Sequence, residues 1–465
     1  MAFKPVKIPG PPLSPIHGWQ GNLFENYKDP ILHAQMLYKN YGKIAAWIKD
    51  SPFIISVFGP ENNQFVLTKP DLFHNNSSTL STSKNSSAFR LSDNLLTNEG
   101  EKHAKQKRLI TPLLTKKYIE IYHYDMVNIT NDFIIDWASG QKKDFAHEMK
   151  ILSMKLALKC LFGLESSDEI ELIENLFKKV GEISANAVTE PNNSGTAINK
   201  LFKLAEELEN EMKAIIKKRR ESPPQTKNLL SSLMDAVDEE KNKFTDNELA
   251  GQTYLLFVAG HETVSSSLTW TMFLLAQHPK VMKKLIDELE SNLKGAPPSV
   301  SILDKLTYLE YIIKESWRIL APISFFGRKS TRNFSLGGYD IPGGASIVIS
   351  PHITHHMPEI YYQPESFIPE RWENNTPGTF EYLPFGFGTH ICVGSAFAMM
   401  EMKIILATIL QRFRLKVTPG SRIDQQFRVT IFPKSGMPML INNQDYNFSS
   451  SQVYGNINQI VDLQL

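Results

Sequence analysis

The stretch LPFGFGTHICVG, residues 383–394, decides how the rest of this 465-residue sequence is interpreted. It combines glycines, phenylalanines and a histidine with Cys392, one of only 2 cysteines in the chain. The apolar segment 395–411 follows directly and predicts a helix. We therefore expect a tight turn that presents the Cys392 sulfur to a ligand and then enters a helix, whose N-terminus would favour the thiolate over the thiol.

Gly386, Gly388 and Gly394 are the residues that would let this turn approach a flat ligand closely. Because glycine lacks a Cβ atom, it adopts positive φ values and leaves backbone N–H groups free to point at a bound sulfur. We expect all three glycines to act in this way. The alternative is a structural cysteine in a glycine-rich loop, since free cysteine is among the most buried residue types.

The composition describes an ordinary globular protein. Hydrophobic residues make up 42% of the chain and the net charge is +1, so no overall charge favours binding to nucleic acid. Cys160 and Cys392 lie in such different contexts that we expect no disulfide and a reducing compartment, the cytoplasm. Residues 1–24 are rich in proline and glycine and lack an apolar run, which favours an extended arm over a signal peptide or membrane anchor, and a soluble protein.

Hydrophobic periodicity and capping residues predict a mostly helical chain with strands near both ends. Thr245 and Glu248 form a capping box that opens an unusually long helix ending near Gln277. Residues 70–97, rich in Asn and Ser, are expected to form a long loop. Other predicted helices are 30–41, 60–67, 116–138, 144–163, 167–185, 195–220, 279–292 and 302–320, and the predicted strands are 45–48, 54–57, 335–339 and 345–349, with a final hairpin at 427–441.

The middle of the long helix carries residues that cost helix stability. Gly260, Glu262 and Thr263 interrupt an otherwise apolar pattern. Ala259 and Gly260 would let a flat cofactor or O₂ approach the backbone, and the Thr263 hydroxyl could bond a carbonyl one turn earlier. A kinked core helix is the alternative.

The pattern Phe-Gly-x-Gly-x-His-x-Cys-x-Gly resembles the haem-binding loop of the cytochrome P-450 family. The resemblance implies haem b as the cofactor and the Cys392 thiolate as the proximal ligand of the haem iron. It places Phe385, Gly386 and Ala259 against the haem. His390 would donate to a haem propionate, at a position where family members often carry arginine.

Residues 259–263 are similar to the family's oxygen-activating motif. The resemblance implies that Glu262 relays protons and that Thr263 holds the bound oxygen. Further contacts to the propionates are implied for Arg328, for His103, and for Lys107 or its neighbour Arg108.

A second set of residues resembles the family's structural triad. Glu315 and Arg318 lie three residues apart on a predicted helix, and Arg371 follows in a Pro-Glu-Arg-Trp segment. The resemblance implies that these three side chains form a buried cluster that stabilises the haem-side scaffold. Trp372 stands where the family has phenylalanine.

Apolar residues near these motifs are candidates for the substrate pocket. For each of them a structural role, in the core or as an isolated apolar side chain on a loop, is the alternative. They are Phe89, Leu95, Phe257, Ile323, Phe325 and Phe326.

The resemblance extends from about residue 20 to 442 and implies a mainly α fold with a smaller β-rich part. One domain, 25–442, would lie between the arm 1–24 and a polar, poorly ordered tail, 443–465. The haem would lie between the long helix and the Cys392 loop. The implied activity is haem-thiolate monooxygenation, in which one atom of O₂ enters an apolar substrate such as a fatty acid or terpenoid.

We expect a monomer that receives electrons from a separate ferredoxin or flavodoxin and its reductase. Its docking face would be the basic helix that carries Lys105, together with the nearby Lys117, although such a charge run is also typical of a solvated surface. Three rival functions remain. They are a peroxide-driven peroxygenase of the same fold, against which the Glu262–Thr263 pair argues; a haem-based sensor or carrier without turnover; and a non-haem enzyme with Cys392 as its nucleophile.

Overall fold

The computed structural model describes residues 7–75, 86–164, 194–222, 227–374, 376–427 and 429–463, with isolated positions between 171 and 179. Helices form the body of the fold. They are α1 Gly18–Lys28, α2 Pro30–Tyr41, α3 Pro60–Leu67, α4 Ser87–Ser92, α5 Gly100–Ile110, α6 Lys116–Ile119, α7 His123–Phe133, α8 Phe145–Phe162, α9 Ser194–Glu221, α10 Leu229–Asp235, α11 Asp246–Gln277, α12 Pro279–Leu293, α13 Val300–Leu303, α14 Thr307–Ile319, α15 Pro351–His355, α16 Arg371–Asn374 and α17 Ser395–Arg412.

The strands form small sheets at the edge of the helical body. They are β1 Ile44–Ala46, β2 Ile54–Val57, β3 Phe73–Asn75, β4 Lys142–Asp144, β5 Phe326–Ser330, β6 Phe334–Leu336, β7 Tyr339–Ile341, β8 Ser346–Ile349, β9 Phe413–Val417, β10 Gln425–Phe427, β11 Ile431–Pro433 and β12 Pro438–Asn443. The largest sheet has the order β1-β2-β8-β5-β3, and within it β2 and β8 are parallel. This sheet joins the N-terminal part of the chain to the segment just after α14.

Helix α11 runs through the centre of the fold. Its N-terminus is capped as expected, because the Thr245 hydroxyl accepts from the Glu248 N–H and the Glu248 carboxylate accepts from the Thr245 N–H at 2.9 Å. Helices α8 and α17 lie alongside it and share its hydrophobic core, in which Trp270 is fully buried. The helix ends at Gln277, where it was predicted to end, because the next residue precedes Pro279 and cannot easily remain helical.

One described stretch, 388–412, which includes α17, is long and apolar enough to cross a membrane by length and composition. However, 67% of the apolar 18-residue window within this stretch is buried inside the protein. Its apolar side chains belong to the largest core, which is the usual environment of a central helix in a globular protein.

The expected extended arm is wrong from residue 18 onward, where α1 begins. The side chain of Asn22 explains the change, because its amide donates to the carbonyls of Pro12 and Trp47 at 3.0 and 3.2 Å. Its side-chain oxygen also accepts the N–H of Ser14 at 2.9 Å. These bonds fold the arm back over the β1–β2 hairpin.

The expectation of a poorly ordered tail is wrong for residues 443–463. Ile457, Ile460 and Val461 are buried, although the segment is polar overall. Ser451 and Gln277 exchange two hydrogen bonds of 3.0 and 2.8 Å, which attach the tail to the end of α11. A few apolar residues at suitable spacing are enough to anchor a polar segment to a preformed core.

The predicted hairpin at 427–441 is also wrong, although its turn is present. Gly436 has a φ of 80°, but β11 pairs with β10 and β12 pairs with β9 and β4. Asp144 accepts the N–H of Met437 at 2.8 Å and directs the chain into the other sheet.

One further helix prediction and one loop prediction differ from the structure. The predicted helix 116–138 divides into α6 and α7 and ends at Phe133, which lets Trp137 pack its ring against Phe145 and Phe413. Within the predicted loop 70–97, β3 and α4 are present. Most of the predicted helix 167–185 lies outside the described residues.

Candidate active site

The loop before α17 holds Cys392 in a tight turn. Gly386 and Gly388 have φ values of 68° and 82°, as expected. A side chain at Gly388 would collide with the backbone oxygen of Leu67, so the close approach of these two segments requires glycine. The N–H of Cys392 donates to the carbonyl of Phe385 at 2.9 Å and closes the turn.

Gly394 differs from the expectation, because its φ of −91° is accessible to any residue. A Cβ atom there would lie 3.9 Å from the Cys392 sulfur, an ordinary contact. The N–H of Gly394 instead contributes a hydrogen bond to that sulfur. Its importance therefore lies in its backbone donor.

The Cys392 side chain is reachable by solvent, but protein surrounds it on most sides. This burial raises the pKa of the thiol, and the hydrogen bond from the Gly394 N–H lowers it by less. The N–H at the helix N-terminus thus acts in the direction expected from the sequence, although burial has the larger effect on the pKa of the thiol. Deprotonation would have to come from a bound cation, since a coordinating metal ionises a thiol.

The second motif lies on α11. Thr263 Oγ1 donates to the carbonyl of Ala259 at 2.8 Å, so the hydrogen bond anticipated from the sequence is present. Ala259 is exposed although it belongs to a central helix, and Glu262 and Thr263 are half-buried. Gly260 faces α8, where a Cβ atom would lie 3.8 Å from Leu161. The accessible surface of this motif is therefore formed by Ala259 and its neighbours one turn later.

Phe257 does not belong to a substrate pocket, and that prediction is wrong. The side chain is fully buried, with its ring 5.9 Å from that of Phe162 and 4.6 Å from that of His261. His261 Nδ1 donates to the Phe257 carbonyl at 2.8 Å, and burial lowers the pKa of this histidine. Both residues therefore serve the packing of α11 against α8.

The structure brings His103, Lys107 and His390 together beside the cysteine loop. The Lys107 ammonium donates to the carbonyl of Thr389 at 2.6 Å, and the rings of His103 and His390 lie 4.2 Å apart. Burial, followed by the charges of His390 and Lys107, lowers the pKa of His103 to about 4, so this residue is neutral at pH 7. Burial also lowers the pKa of Lys107.

Glu99, which the sequence did not single out, connects these donors to Arg328. Its carboxylate accepts from His390 Nε2 at 3.1 Å and from the backbone N–H of Asn75. The guanidinium of Arg328, which is buried, donates to the side-chain oxygen of Asn75 at 3.2 Å. Burial raises the pKa of Glu99, but the bonds from His390 and Asn75 outweigh it and the net direction is downward. The carboxylate is therefore ionised at neutral pH.

Only weak sequence signals could have identified Glu99. It lies four residues before His103 and next to the start of α5, where acidic residues are common for local reasons. Its contacts come from β3 and from the cysteine loop, far away in the chain, so no periodicity reports them.

The structural triad has the arrangement that the resemblance implied. Arg318 makes two hydrogen bonds of 3.0 Å to the Glu315 carboxylate, and Arg371 Nε makes a third at 2.8 Å. Trp372 adds a bond that phenylalanine could not make, because its Nε1–H donates to Glu315 at 3.0 Å. Glu315 and Arg318 are fully buried, and their mutual pairing offsets the cost of burying charge.

His355 links this triad to the cysteine loop. Its Nε2 accepts the N–H of Leu383 at 2.8 Å, so the proton must lie on Nδ1, which donates to the Arg318 carbonyl at 3.2 Å. The Arg318 guanidinium also donates to the His355 carbonyl at 2.8 Å. The first residue of the 383–394 stretch is thereby attached to the buried Glu315–Arg318 pair.

The remaining pocket candidates divide into two groups. Phe89 lies half-buried on α4, and Leu95 is buried with its N–H bonded to the side chain of Gln252 on α11 at 3.2 Å. Ile323 is half-buried before β5. Phe325 and Phe326 border a cavity of about 200 Å³ between α2 and the large sheet. Phe325 and Phe326 therefore border a cavity that does not include Phe89, Leu95 or Ile323.

The basic helix α5 is less of an open positive face than its sequence indicated. Lys102 pairs with Asp93, Lys105 with Glu248 and Arg108 with Asp238, at 2.5, 3.5 and 3.6 Å. Lys116 at the start of α6 pairs with Asp304. These acids come from other elements, so the positive charge is partly neutralised within the protein.

Comparison with known proteins identifies the class to which this fold and site belong. A family model described as Cytochrome P-450 matches residues 9–439. The chain is 31% identical over 346 residues to Cyclooctat-9-en-7-ol 5-monooxygenase from Streptomyces melanosporofaciens, covering 72% of this chain and 75% of that protein. Two solved structures share the fold. Retinoic acid bound cyanobacterial CYP120A1 has a TM-score of 0.80 and 23% identity over 94% of this chain and 100% of its own, and the cytochrome P-450DA heme domain has 0.81 and 22% over 94% and 97%.

The chain therefore belongs to the cytochrome P-450 family. It is a cytochrome P-450 monooxygenase with haem b as its cofactor, and the mainly helical fold with a smaller β-rich part is confirmed. The residues present fit this cofactor. The accessible Cys392 sulfur lies in a loop where Gly386 leaves room for a flat ring, with nothing within 4 Å of a Cβ atom placed there. Cationic and neutral donors gather beside this loop, which suits a ligand that carries carboxylates.

Proposed function

We propose that this protein oxidises an apolar organic substrate at a haem held by Cys392, with electrons from a separate ferredoxin or flavodoxin and its reductase. The observation that carries the proposal is the grouping of His103, Lys107 and His390 beside the accessible Cys392 sulfur. A sulfur ligand and carboxylate-binding donors within one loop region match the two groups by which haem b would be held, its iron and its propionates. When bound, haem b supplies the oxygen-activating redox chemistry.

The protein's own residues supply binding, orientation and protons. Cys392 would hold the haem iron through its sulfur, and His390, His103, Lys107 and Arg328 would hold the propionates. Phe385 stabilises the loop from behind, because its ring packs 4.9 Å from that of Trp317. Trp317 in turn donates to the Ser267 hydroxyl on α11 at 3.0 Å, so the loop and the long helix are held by one side chain.

Glu262 and Thr263 are the residues placed to handle protons. The Thr263 hydroxyl donates to the Ala259 carbonyl and keeps an acceptor lone pair for a second partner. Glu262 lies one residue earlier and is half-buried, so it can exchange protons with solvent. Such an acid–alcohol pair supports reduction by an electron-transfer partner over a reaction driven by peroxide alone.

The substrate is proposed to be apolar, for example a terpenoid or a fatty acid. Phe89, Leu95 and Ile323 offer only apolar side chains. The bacterial relative named for oxidation of cyclooctat-9-en-7-ol supports this class. We further propose that the protein acts as a cytoplasmic monomer.

The spectrum of the reduced, CO-bound protein tests the thiolate ligand. Wild type and Cys160→Ala are expected to show the Soret band typical of a haem thiolate, and Cys392→Ala is expected to lose it. Cys160 is a matched control, because it is the other cysteine and lies buried in the core. A band that survives in Cys392→Ala would refute the ligand assignment.

Product formation tests the reaction. Incubation with a panel of terpenoids and fatty acids should give oxygenated products faster with a ferredoxin or flavodoxin system than with hydrogen peroxide. Faster turnover with peroxide would favour the peroxygenase, and substrate binding without product would favour a sensor or carrier.

A further inference from the structure

Helix α4 is too short to be stable without tertiary contacts. It contains 6 residues, and isolated helices of that length do not form in water. Its local support consists of a few side-chain hydrogen bonds: the Ser86 hydroxyl accepts the N–H of Phe89 at 3.2 Å, and the Ser92 hydroxyl donates to the Phe89 carbonyl at 2.8 Å. Its position must therefore come from the helices against which it packs.

Helix α4 packs against α11 at a glycine of α11. A Cβ atom at Gly251 would lie 2.8 Å from the Asp93 carbonyl oxygen and 2.9 Å from that of Arg90, so the two backbones approach as closely as glycine allows. Gly251 is eight residues before Ala259, which corresponds to about 12 Å along the helix. Helix α4 therefore packs against the helix that carries residues 259–263, close to that motif.

Helix α9 holds α4 from the other side. Leu91 is buried in a small apolar cluster with Leu204 and Leu208 of α9. Beside this cluster, Arg90 makes two hydrogen bonds of 2.5 and 2.6 Å to the Glu209 carboxylate. Lys213, one turn later on α9, contacts the same carboxylate at 2.7 Å.

Burial of the Glu209 carboxylate strengthens its ion pair with Arg90. The Glu209 side chain is only 2% exposed, whereas those of Arg90 and Lys213 are 29% and 38% exposed. If Arg90 is removed, the buried carboxylate keeps only Lys213 and loses two hydrogen bonds that water cannot fully replace, so breaking the pair costs more than breaking a surface pair. Although burial raises the pKa of Glu209, the bonds from Arg90 and Lys213 lower it to about 2, which keeps the pair charged at neutral pH.

We propose that Arg90 and Glu209 are positioning residues that clasp α4 between α9 and α11 and so fix the wall of the substrate space formed by Phe89 and Leu95. This inference rests on the proposed function, in which the accessible face of α11 at Ala259 borders haem and substrate. The ion pair spans 119 residues of sequence and joins α4 to a helix on its far side. Loss of the pair frees α4 without touching the cysteine loop or the propionate donors.

Hydrogen–deuterium exchange of the haem-loaded protein measures the position of α4 without a substrate. In Glu209→Gln and Arg90→Gln, the amides of residues 89–98 are expected to exchange about tenfold faster or more than in wild type. Amides of α14 should keep their wild-type protection. Glu221→Gln is the matched control, since its exposed pair with Lys217 lies on the same helix and removes the same charge.

Two ligands of different size measure the wall itself. Imidazole binds a haem iron with little need for the surrounding space, whereas 4-phenylimidazole must also place a phenyl ring beside α11. In Arg90→Gln and Glu209→Gln, the ratio of the two dissociation constants is expected to move about tenfold closer to one. It should stay unchanged in Glu221→Gln. The double variant Arg90→Gln/Glu209→Gln should show much less than the product of the two single effects, since the residues act as a pair.

If the ratio of the two dissociation constants is unchanged in Arg90→Gln and Glu209→Gln, the proposal is overturned, whether or not hydrogen–deuterium exchange becomes faster. If Glu209→Gln does not fold, Arg90→Lys provides the same test, because lysine keeps the charge but loses the paired donors, and an intermediate effect is expected. A wild-type protein that binds neither imidazole nor CO at a haem would refute the proposed function instead, so the two failures are distinguishable.

Discussion

The Nε2 atom of His390 lies 3.1 Å from a carboxylate oxygen of Glu99. His390 is two residues before Cys392, the proposed ligand of the haem iron. The site that is proposed to bind two propionates therefore already contains an anion of its own. Glu99 is held in place by the backbone N–H of Asn75, whose side chain accepts from Arg328. One carboxylate thus contacts or orients the donors on both sides of the loop.

Neutralising Glu99 is expected to raise the reduction potential of the haem. Glu99→Gln removes a negative charge near the iron, and this disfavours the ferric state, which carries one more positive charge than the ferrous state. The expected rise is on the order of tens of millivolts, as judged from Coulomb's law at partly screened separations. Spectroelectrochemical titration measures it.

Glu101→Gln is the matched control for that change, because Glu101 is an exposed acid in the first turn of the same helix. Its potential should remain close to that of wild type. A shift of equal size in both variants would show that the effect is one of overall charge and does not depend on the contact with His390.

Replacing Trp372 by the family's more common phenylalanine is expected to destabilise this protein. Trp372→Phe leaves the buried Glu315 carboxylate without the indole N–H, and hydrogen bonds to charged groups contribute about 1.5–3 kcal/mol. Urea unfolding measures the loss. Trp47→Phe, which removes a bond to the neutral Ser56 hydroxyl, should cost less, and a larger loss there would contradict the argument.

Alanine substitutions should separate two glycines of the cysteine loop that look equivalent in the sequence. Gly388→Ala places a Cβ atom against the Leu67 carbonyl at a positive φ, whereas Gly394→Ala meets only an ordinary contact at negative φ. Gly388→Ala should therefore lower the thermal unfolding temperature and the haem content, with a cost of more than about 1 kcal/mol. Equal behaviour of the two variants would contradict the loop geometry.

Removing the Thr263 hydroxyl is expected to separate electron use from product formation. Thr263→Ala loses the hydrogen bond to Ala259 and the group proposed to hold oxygen, but leaves the core packing of α11 unchanged. Product formed per NADPH consumed should fall several-fold while peroxide release rises. Thr263→Ser keeps the hydroxyl and should retain most of the coupling between NADPH use and product formation. Unchanged coupling in Thr263→Ala, or an equal loss of coupling in both variants, would refute the role.

Acid is expected to destabilise the protein through buried histidines. Burial and then the charge of Arg318 lower the pKa of His355 from 6.5 to about 3. Between these values the unfolded chain binds a proton that the folded chain does not, so stability falls as pH drops below 6.5. Each such histidine contributes at most about 1.4 kcal/mol per pH unit, and the pKa of His352 is lowered in the same direction.

Urea unfolding between pH 7.5 and 5 tests this account. His355→Gln can still accept from Leu383 and donate to the Arg318 carbonyl, but it cannot be protonated, so its stability should depend less steeply on pH. The exposed His147→Gln serves as the control and should keep the wild-type slope. An unchanged slope in His355→Gln would contradict the assignment.

Local sequence patterns were enough to predict the features that depend on neighbouring residues. The turn before Cys392, the capping box of α11, its end at Gln277 and the bond from Thr263 to Ala259 all arise within a few residues. Backbone preferences and short hydrogen bonds decide such features before the chain folds.

Tertiary structure decided which distant groups meet. Glu99 beside His390, Trp372 on Glu315 and Arg90 on Glu209 join residues separated by 291, 57 and 119 positions. The strand partner of β11 and the direction in which Phe257 points were likewise settled by packing. The sequence by itself determined the class of site and the residue that offers its sulfur. Which charges surround that site depends on burial and on approach between remote segments, and no local pattern encodes those distances.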